Sequence, residues 1–177
     1  MTEKRTFSER LANRFFAIPI VAQWWARRSA AHISTLVDTS TAIPFARVRK
    51  PLRIARVALL TTAGVHRRDQ PPFDMQNPDG DPTYREVSGT VEVGDLMITH
   101  KYYDHTDADA DLNVVFPLAH FRNLVQKGVI GSLAPLHFGF MGHIDQAEVA
   151  RLTADTAPAV AAKLRAGGVD FAFLTPA

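Results

Sequence analysis

The stretch "RIARVALLTTAG" (residues 53–64) decides how this chain folds. Past Arg56 it is apolar as far as Leu60 and ends in Thr-Thr-Ala-Gly, the pattern of a buried parallel strand that delivers the chain to a loop. Downstream, "DLMITH" (95–100) reads as a second short strand, and "VIGSLAPLHFGFMG" (129–142) as a strand with a glycine-rich turn. The last strand is Val169–Leu174, a run expected to be buried. Between them, "FPLAHFRNLVQKG" (116–128) has helical spacing and a glycine stop. "DQAEVARLTADTAPAVAAKLRAGG" (145–168) is also helical, with Pro158 placed to start its second half. Strands alternating with helices predict an α/β fold with a Rossmann- or flavodoxin-like parallel sheet.

Upstream, residues 7–38 have helical spacing, and Trp24 and Trp25 stand beside Arg27 and Arg28. Pro44 and Pro51 then bar helix through "TAIPFARVRKPLR" (41–53). The expected organisation is a basic helical N-terminal arm, residues 1–43, and an α/β domain, residues 44–177. The net charge of +2 conceals this division, because the arm and linker are strongly basic and the body is acidic. An arm so rich in apolar residues is expected to dock on the acidic body or on a sister subunit rather than on nucleic acid. The longest apolar stretch, "FFAIPIVAQWWA", is too short to span a bilayer and carries Pro19 and Gln23. No membrane association is expected. With no cysteine there is no disulfide, no zinc–thiolate site and no thiol nucleophile in these 177 residues. Together these features suit a cytoplasmic protein.

One segment resists assignment. Residues 65–87 carry Pro71, Pro72, Pro78 and Pro82, with turn pairs and no periodicity, and a loop of that length in a compact domain is usually functional. Polar residues also gather after the strands. His66 follows the first, His100 and Asp104 follow "DLMIT", and His137 and His143 lie around the glycine-rich turn. In a parallel sheet such positions should converge on one rim, where histidines can move protons or hold a metal. No pair has the i, i+4 spacing of a zinc helix, and "DADADLNVVFPL" (107–118) departs from a calcium loop by having Leu112 and Leu118 where Gly and Glu belong. No metal site is expected. Phosphate-binding glycine fingerprints and a G-x-S-x-G elbow are absent as well.

Four stretches, "VALLTTAGVH", "DLMITHKYYDHTDADADLNVVFPLAHFRNL", "GVIGSLAPLHFGFMG" and "AAKLRAGGVDFAFLTPA", follow one another in a familiar order. From about Pro44 onward the chain resembles the glycine/sarcosine/betaine/D-proline reductase selenoprotein B family, its D-proline reductase branch above all. The resemblance implies reductive cleavage of a carbon–nitrogen bond in a small amino acid or its N-methylated derivative, with a dithiol/disulfide couple as electron carrier. It further implies a partner reductase subunit and an oligomer. In that family the nucleophile is a selenocysteine or cysteine just after the last strand, so it is expected directly after Ala177, the chain being cut short where a selenocysteine codon reads as stop. His66, His100, Asp104 and His137 are then the candidates for substrate binding. The alternative is an accessory or small-amine-binding subunit that lacks the nucleophile.

Overall fold

The computed structural model describes residues 18–20, 23, 24, 27 and 46–177. The expected arm therefore lies almost wholly outside the described residues. Residues Val48–Ala177 form one compact unit built on an α/β sheet. Its strands are β1 (Arg56–Thr61), β2 (Val65–Arg67), β3 (Tyr84–Ser88), β4 (Leu96–Ile98), β5 (Ser132–Leu133), β6 (Leu136–Phe140) and β7 (Phe171–Thr175). Its helices are α1 (Thr106–Ala110), α2 (Leu118–Gln126), α3 (Gln146–Arg151) and α4 (Ala157–Ala166). Among the described residues no helix is long and apolar enough to cross a membrane.

Strand β1 is the centre. It runs parallel to β5 and β6 on one side and to β7 on the other, and β3 closes the β6 edge antiparallel. The sheet is thus mixed, where the sequence suggested a wholly parallel one. The added antiparallel strand comes from the segment that showed no periodicity, 65–87. That segment also contributes β2, which pairs antiparallel with β4 in a separate two-stranded sheet. Leu59, Val87, Phe116 and Leu118 are buried together in one core cluster on the main sheet, and Phe138 is buried as well.

Strands β5 and β6 are one strand interrupted. Their register against β1 steps by two residues between the pairs Arg56↔Ser132 and Leu60↔Phe138, and Ala134-Pro135 forms the break. Ala134 N–H still reaches Val57 O at 2.8 Å, but no backbone carbonyl takes the Leu59 N–H. The His137 Nδ1 accepts it instead, at 3.0 Å. A side chain completes the ladder where the backbone cannot, as a buried amide requires.

The proline-rich loop owes its order to one ion pair. Asp81, nearly buried, accepts the backbone N–H groups of Asp74 (3.0 Å) and Thr83 (2.8 Å) and the Thr83 hydroxyl (2.5 Å). Arg85 Nη2 lies 3.6 Å from its carboxylate. The same guanidinium donates to the carbonyls of Pro71, Pro72 and Tyr84 and to Thr83 Oγ1, and stacks over Phe73 at 4.3 Å. Burial pushes the Asp81 carboxyl up, but its hydrogen bonds and Arg85 outweigh that and hold it below the ordinary range.

The helical region 145–168 is continuous but not uniform. Leu152–Thr156 widens into a π turn just before Pro158, whose ring cannot follow a regular α turn. Helix α4 then reaches β3 through a Lys163–Glu86 ion pair at 3.0 Å.

Replacing Arg85 with Ala strands the Asp81 carboxylate and frees several carbonyls. The expected loss is about 3 kcal/mol, read from urea unfolding, with Arg85→Lys recovering only part because a single ammonium cannot serve both prolines and Thr83. Unchanged stability in both variants would show that the loop is ordered by something else.

Candidate functional site

The carboxyl ends of β1, β6 and β7 meet at one rim. Gly64 N–H donates to Phe140 O at 2.7 Å, Thr62 N–H to Thr175 O at 3.1 Å, and Ala177 N–H to Thr62 Oγ1 at 3.1 Å. Two glycines make this contact possible. Gly64 has φ +73° and Gly142 φ +86°, and a Cβ on either would stand 2.3 Å from a carbonyl oxygen, of Thr99 and Thr62 respectively. Only glycine meets both demands.

Aromatic rings cover the rim. His100 packs edge-on against Tyr103 at 4.7 Å, and its Nδ1 accepts Tyr102 N–H at 3.1 Å. Tyr102 is itself stacked at 3.9 Å on His143, whose Nε2 donates to Pro78 O at 2.8 Å. The Tyr103 hydroxyl donates to Ala63 O at 3.2 Å. Burial, with Asp109 nearby, pushes that hydroxyl up to about 12, so Tyr103 stays a donor. Burial drives His100 down to about 4, helped by the neighbouring His143 and His105, against a bond to the Met141 backbone. The rim thus exposes a neutral imidazole ring, the oxygen of the Tyr103 phenol and the hydroxyl of Thr62, and Lys101 lies 5.1 Å over the Tyr102 ring. No group of three or more His, Asp or Glu side chains among the described residues is arranged to hold a metal.

The four residues singled out in the sequence do not share this rim. His100 belongs to it. Asp104 is exposed nearby, where its carboxylate accepts the N–H (3.1 Å) and hydroxyl (2.7 Å) of Thr106 at the start of α1. His66 is buried in β2, with Nδ1 donating to Arg67 O and Nε2 accepting from Thr99 Oγ1, both at 2.7 Å. His137 lies under the sheet at the β5–β6 break, not at its carboxyl end. Convergence failed because β2 and β4 form their own sheet and because His137 comes early in β6. His143, from the same glycine-rich turn, does reach the rim. Thr62, Tyr102 and Tyr103 carried no periodic signal. Only their place just past a strand end marks them.

His137 is fully buried, and its Nε2 has no hydrogen-bond partner among the described residues. Burial and then Arg122 hold the ring down at about 4. Burial likewise lowers His66, as do Arg85 and Arg68, against its bond to Arg67 O.

Comparison with known proteins now adds to this geometry. Residues 33–177 match the family model described as glycine/sarcosine/betaine reductase selenoprotein B. The chain is 37% identical over 128 residues to the D-proline reductase subunit gamma of Acetoanaerobium sticklandii, an alignment covering 72% of this chain and 51% of that protein. It is 30% identical over 142 residues to the betaine reductase complex component B subunit beta of Peptoclostridium acidaminophilum, covering 78% of this chain and 32% of that one. The chain therefore spans about half the length of the first relative and about a third of the second. No solved structure matches it.

Three histidines are held neutral in the fold while the unfolded chain takes up protons near 6.5. These histidines should therefore leave stability flat around neutral pH and make it fall steadily from 6.5 toward about 4. Urea midpoints at a series of pH values test this. His137→Asn keeps an acceptor for Leu59 N–H and removes one titration, so its pH dependence should be shallower. His137→Phe strands the amide and should cost about 1–3 kcal/mol at pH 7. A midpoint that rises on acidification would overturn this account.

Proposed function

Because the chain belongs to the glycine/sarcosine/betaine reductase selenoprotein B family, we propose that it supplies the substrate-facing part of a reductase acting on a small amino acid or its N-methylated derivative. The reaction is reductive cleavage of a carbon–nitrogen bond, with electrons from a dithiol. The observation that carries this reading is the family match over residues 33–177, which takes in the whole strand-end rim. The relatives' names, with D-proline in one and betaine in the other, favour substrates of that size and class. Their description as subunits favours a protein that works with partner subunits.

Within this reading the residues divide the work. His100, Tyr103 and Thr62 line the substrate's approach with uncharged rings and hydroxyl oxygens, and Asp104 fixes the approach of the loop before α1. His66 and His137 act through the backbone they hold and are positioning residues. The chain has no cysteine. The selenolate or thiolate that the reaction needs therefore comes from outside these 177 residues, on a further segment or a partner polypeptide. A dithiol donor suits a reducing cytoplasm.

The test has two parts. The coding DNA is read beyond the codon for Ala177, and the native protein is assayed with a dithiol and glycine, sarcosine, betaine or D-proline. An in-frame UGA or cysteine codon in a continuing frame, with release of amine or ring-opened product, is the expected result. His100→Ala should then lower kcat/KM by roughly tenfold or more, the scale of one lost substrate contact. A UAA or UAG stop, no turnover, and retained binding of one of these amines would leave a non-catalytic binding subunit instead.

A further inference from the structure

The amino end of the main sheet carries an exposed aliphatic patch. Gly131 N–H donates to Leu52 O at 3.0 Å and to Ala55 O at 3.1 Å, which draws the turn after α2 onto the segment before β1. The approach is so close that a Cβ on Gly131 would stand 2.6 Å from the Ile54 carbonyl carbon. Leu52, Ile54 and Val129 are thereby gathered at this end, and they are 52%, 60% and 47% exposed. Aliphatic residues left in solvent singly need no explanation, but a group of them marks a contact surface.

The residues bordering this patch in the chain are cationic. Arg49 and Arg53 flank Leu52, and Lys127 caps the end of α2 two residues before Val129. None of these three has an acidic partner among the described residues, whereas Lys50 is paired to Asp170 at 2.8 Å. The opposite end of the same unit has the reverse sign. Residues 104–114 contain four aspartates and no Lys or Arg. Asp107, Asp109 and Asp111 there are exposed, and so is Val114. Thr175 Oγ1 donates to Val115 O at 2.5 Å, which fixes this segment at the carboxyl end of β7. The six residues of β1, about 20 Å of strand, separate the two ends, so they cannot meet within one copy.

We infer that the basic aliphatic patch docks a second copy of this chain through that copy's acidic segment, residues 104–114. Val114 enters among Leu52, Ile54 and Val129, and Asp107 and Asp109 face Arg49, Arg53 and Lys127. Residues 1–45 are the other nearby source of apolar side chains, but they hold six Lys or Arg against three Asp or Glu, the same sign as the patch. A nucleic acid matches the charge and has no use for three aliphatic side chains. An anionic membrane covers the patch and leaves the acidic segment without its complement. Because two different surfaces meet, the contact is head-to-tail and builds a ring or a filament rather than a two-fold dimer. The charges orient the encounter, and burial of the aliphatic side chains supplies the affinity. The inference does not depend on the reductase reading.

The test is sedimentation velocity on the native protein in about 0.05 M and about 0.5 M salt, where self-association is expected and should weaken by about tenfold or more at the higher value. Arg49→Glu with Arg53→Glu makes both ends acidic, and Asp107→Lys with Asp109→Lys makes both basic. Each variant alone should lose the association, and an equimolar mixture of the two should regain it, which a misfolded variant could not do. With p-benzoylphenylalanine at Ile54, in a mixture of isotope-labelled and unlabelled protein, the expected crosslink runs to residues 104–114 of the other copy. A monomer at every salt concentration, a mixture that stays apart, or a crosslink from position 54 to residues 1–45 would overturn the inference. Binding to phosphatidylserine vesicles without self-association would overturn it too, and would assign the patch to a membrane surface.

Discussion

A strand that breaks for two residues beside the centre of a sheet leaves a backbone donor facing nothing, and the His137 ring fills that place. The bond from Leu59 N–H to Nδ1 keeps β5 and β6 in one line against β1 across the Ala134-Pro135 break. Everything at the carboxyl end of the sheet inherits that alignment. Phe138 meets Leu60, and Gly139 meets Thr61 with its Cα face so close to Val65 that a Cβ would lie 1.9 Å from the Val65 carbonyl oxygen. Displacing β6 by one residue would move the glycines away from the turns they admit, and the rim would not close.

The buried histidines of this protein, His66, His100 and His137, hold backbone in place whatever else they do. His66 ties β2 to Thr99, and His100 ties the turn after β4 to Tyr102. Each uses the imidazole as a neutral donor–acceptor at a place where backbone groups would otherwise be unpaired, and burial keeps it neutral. This explains how a chain with seven histidines can lack a metal-binding cluster among its described residues. It also separates two meanings of a polar residue at a strand end. Some such residues face a ligand, and others close the loop that makes room for one.

Strand and helix identities were legible because they depend on apolar runs and on stops such as Gly128, which does take up a left-handed φ of +68°. The order of strands within the sheet was not, because pairing depends on contacts far apart in sequence. The segment 65–87 hid β2 and β3 because its prolines and turn pairs mask short strands, and its organiser, Asp81 with Arg85, looks in sequence like ordinary surface charge. The final strand was read as buried because it is apolar, yet apolarity states only what a strand needs, not whether the cover is present. Position after a strand does put His100 at the rim, but direction of the side chain is set by the partner sheet, which no local pattern reveals.

The central place of β1 also shapes how the fold can form. It is the first strand among the described residues, but its neighbours come late: Arg56 bonds to Asp170, 114 residues away, and Leu59 to His137, 78 away. Folding to this topology must close long loops before the central strand gains either flank, which makes assembly slow compared with a fold of local contacts. During synthesis at roughly 5–20 residues per second, β1 would spend several seconds as an apolar segment with no partner. A protein organised in this way depends on whatever shields that strand in the interval, so its yield in a cell is governed as much by timing as by the stability of the finished sheet.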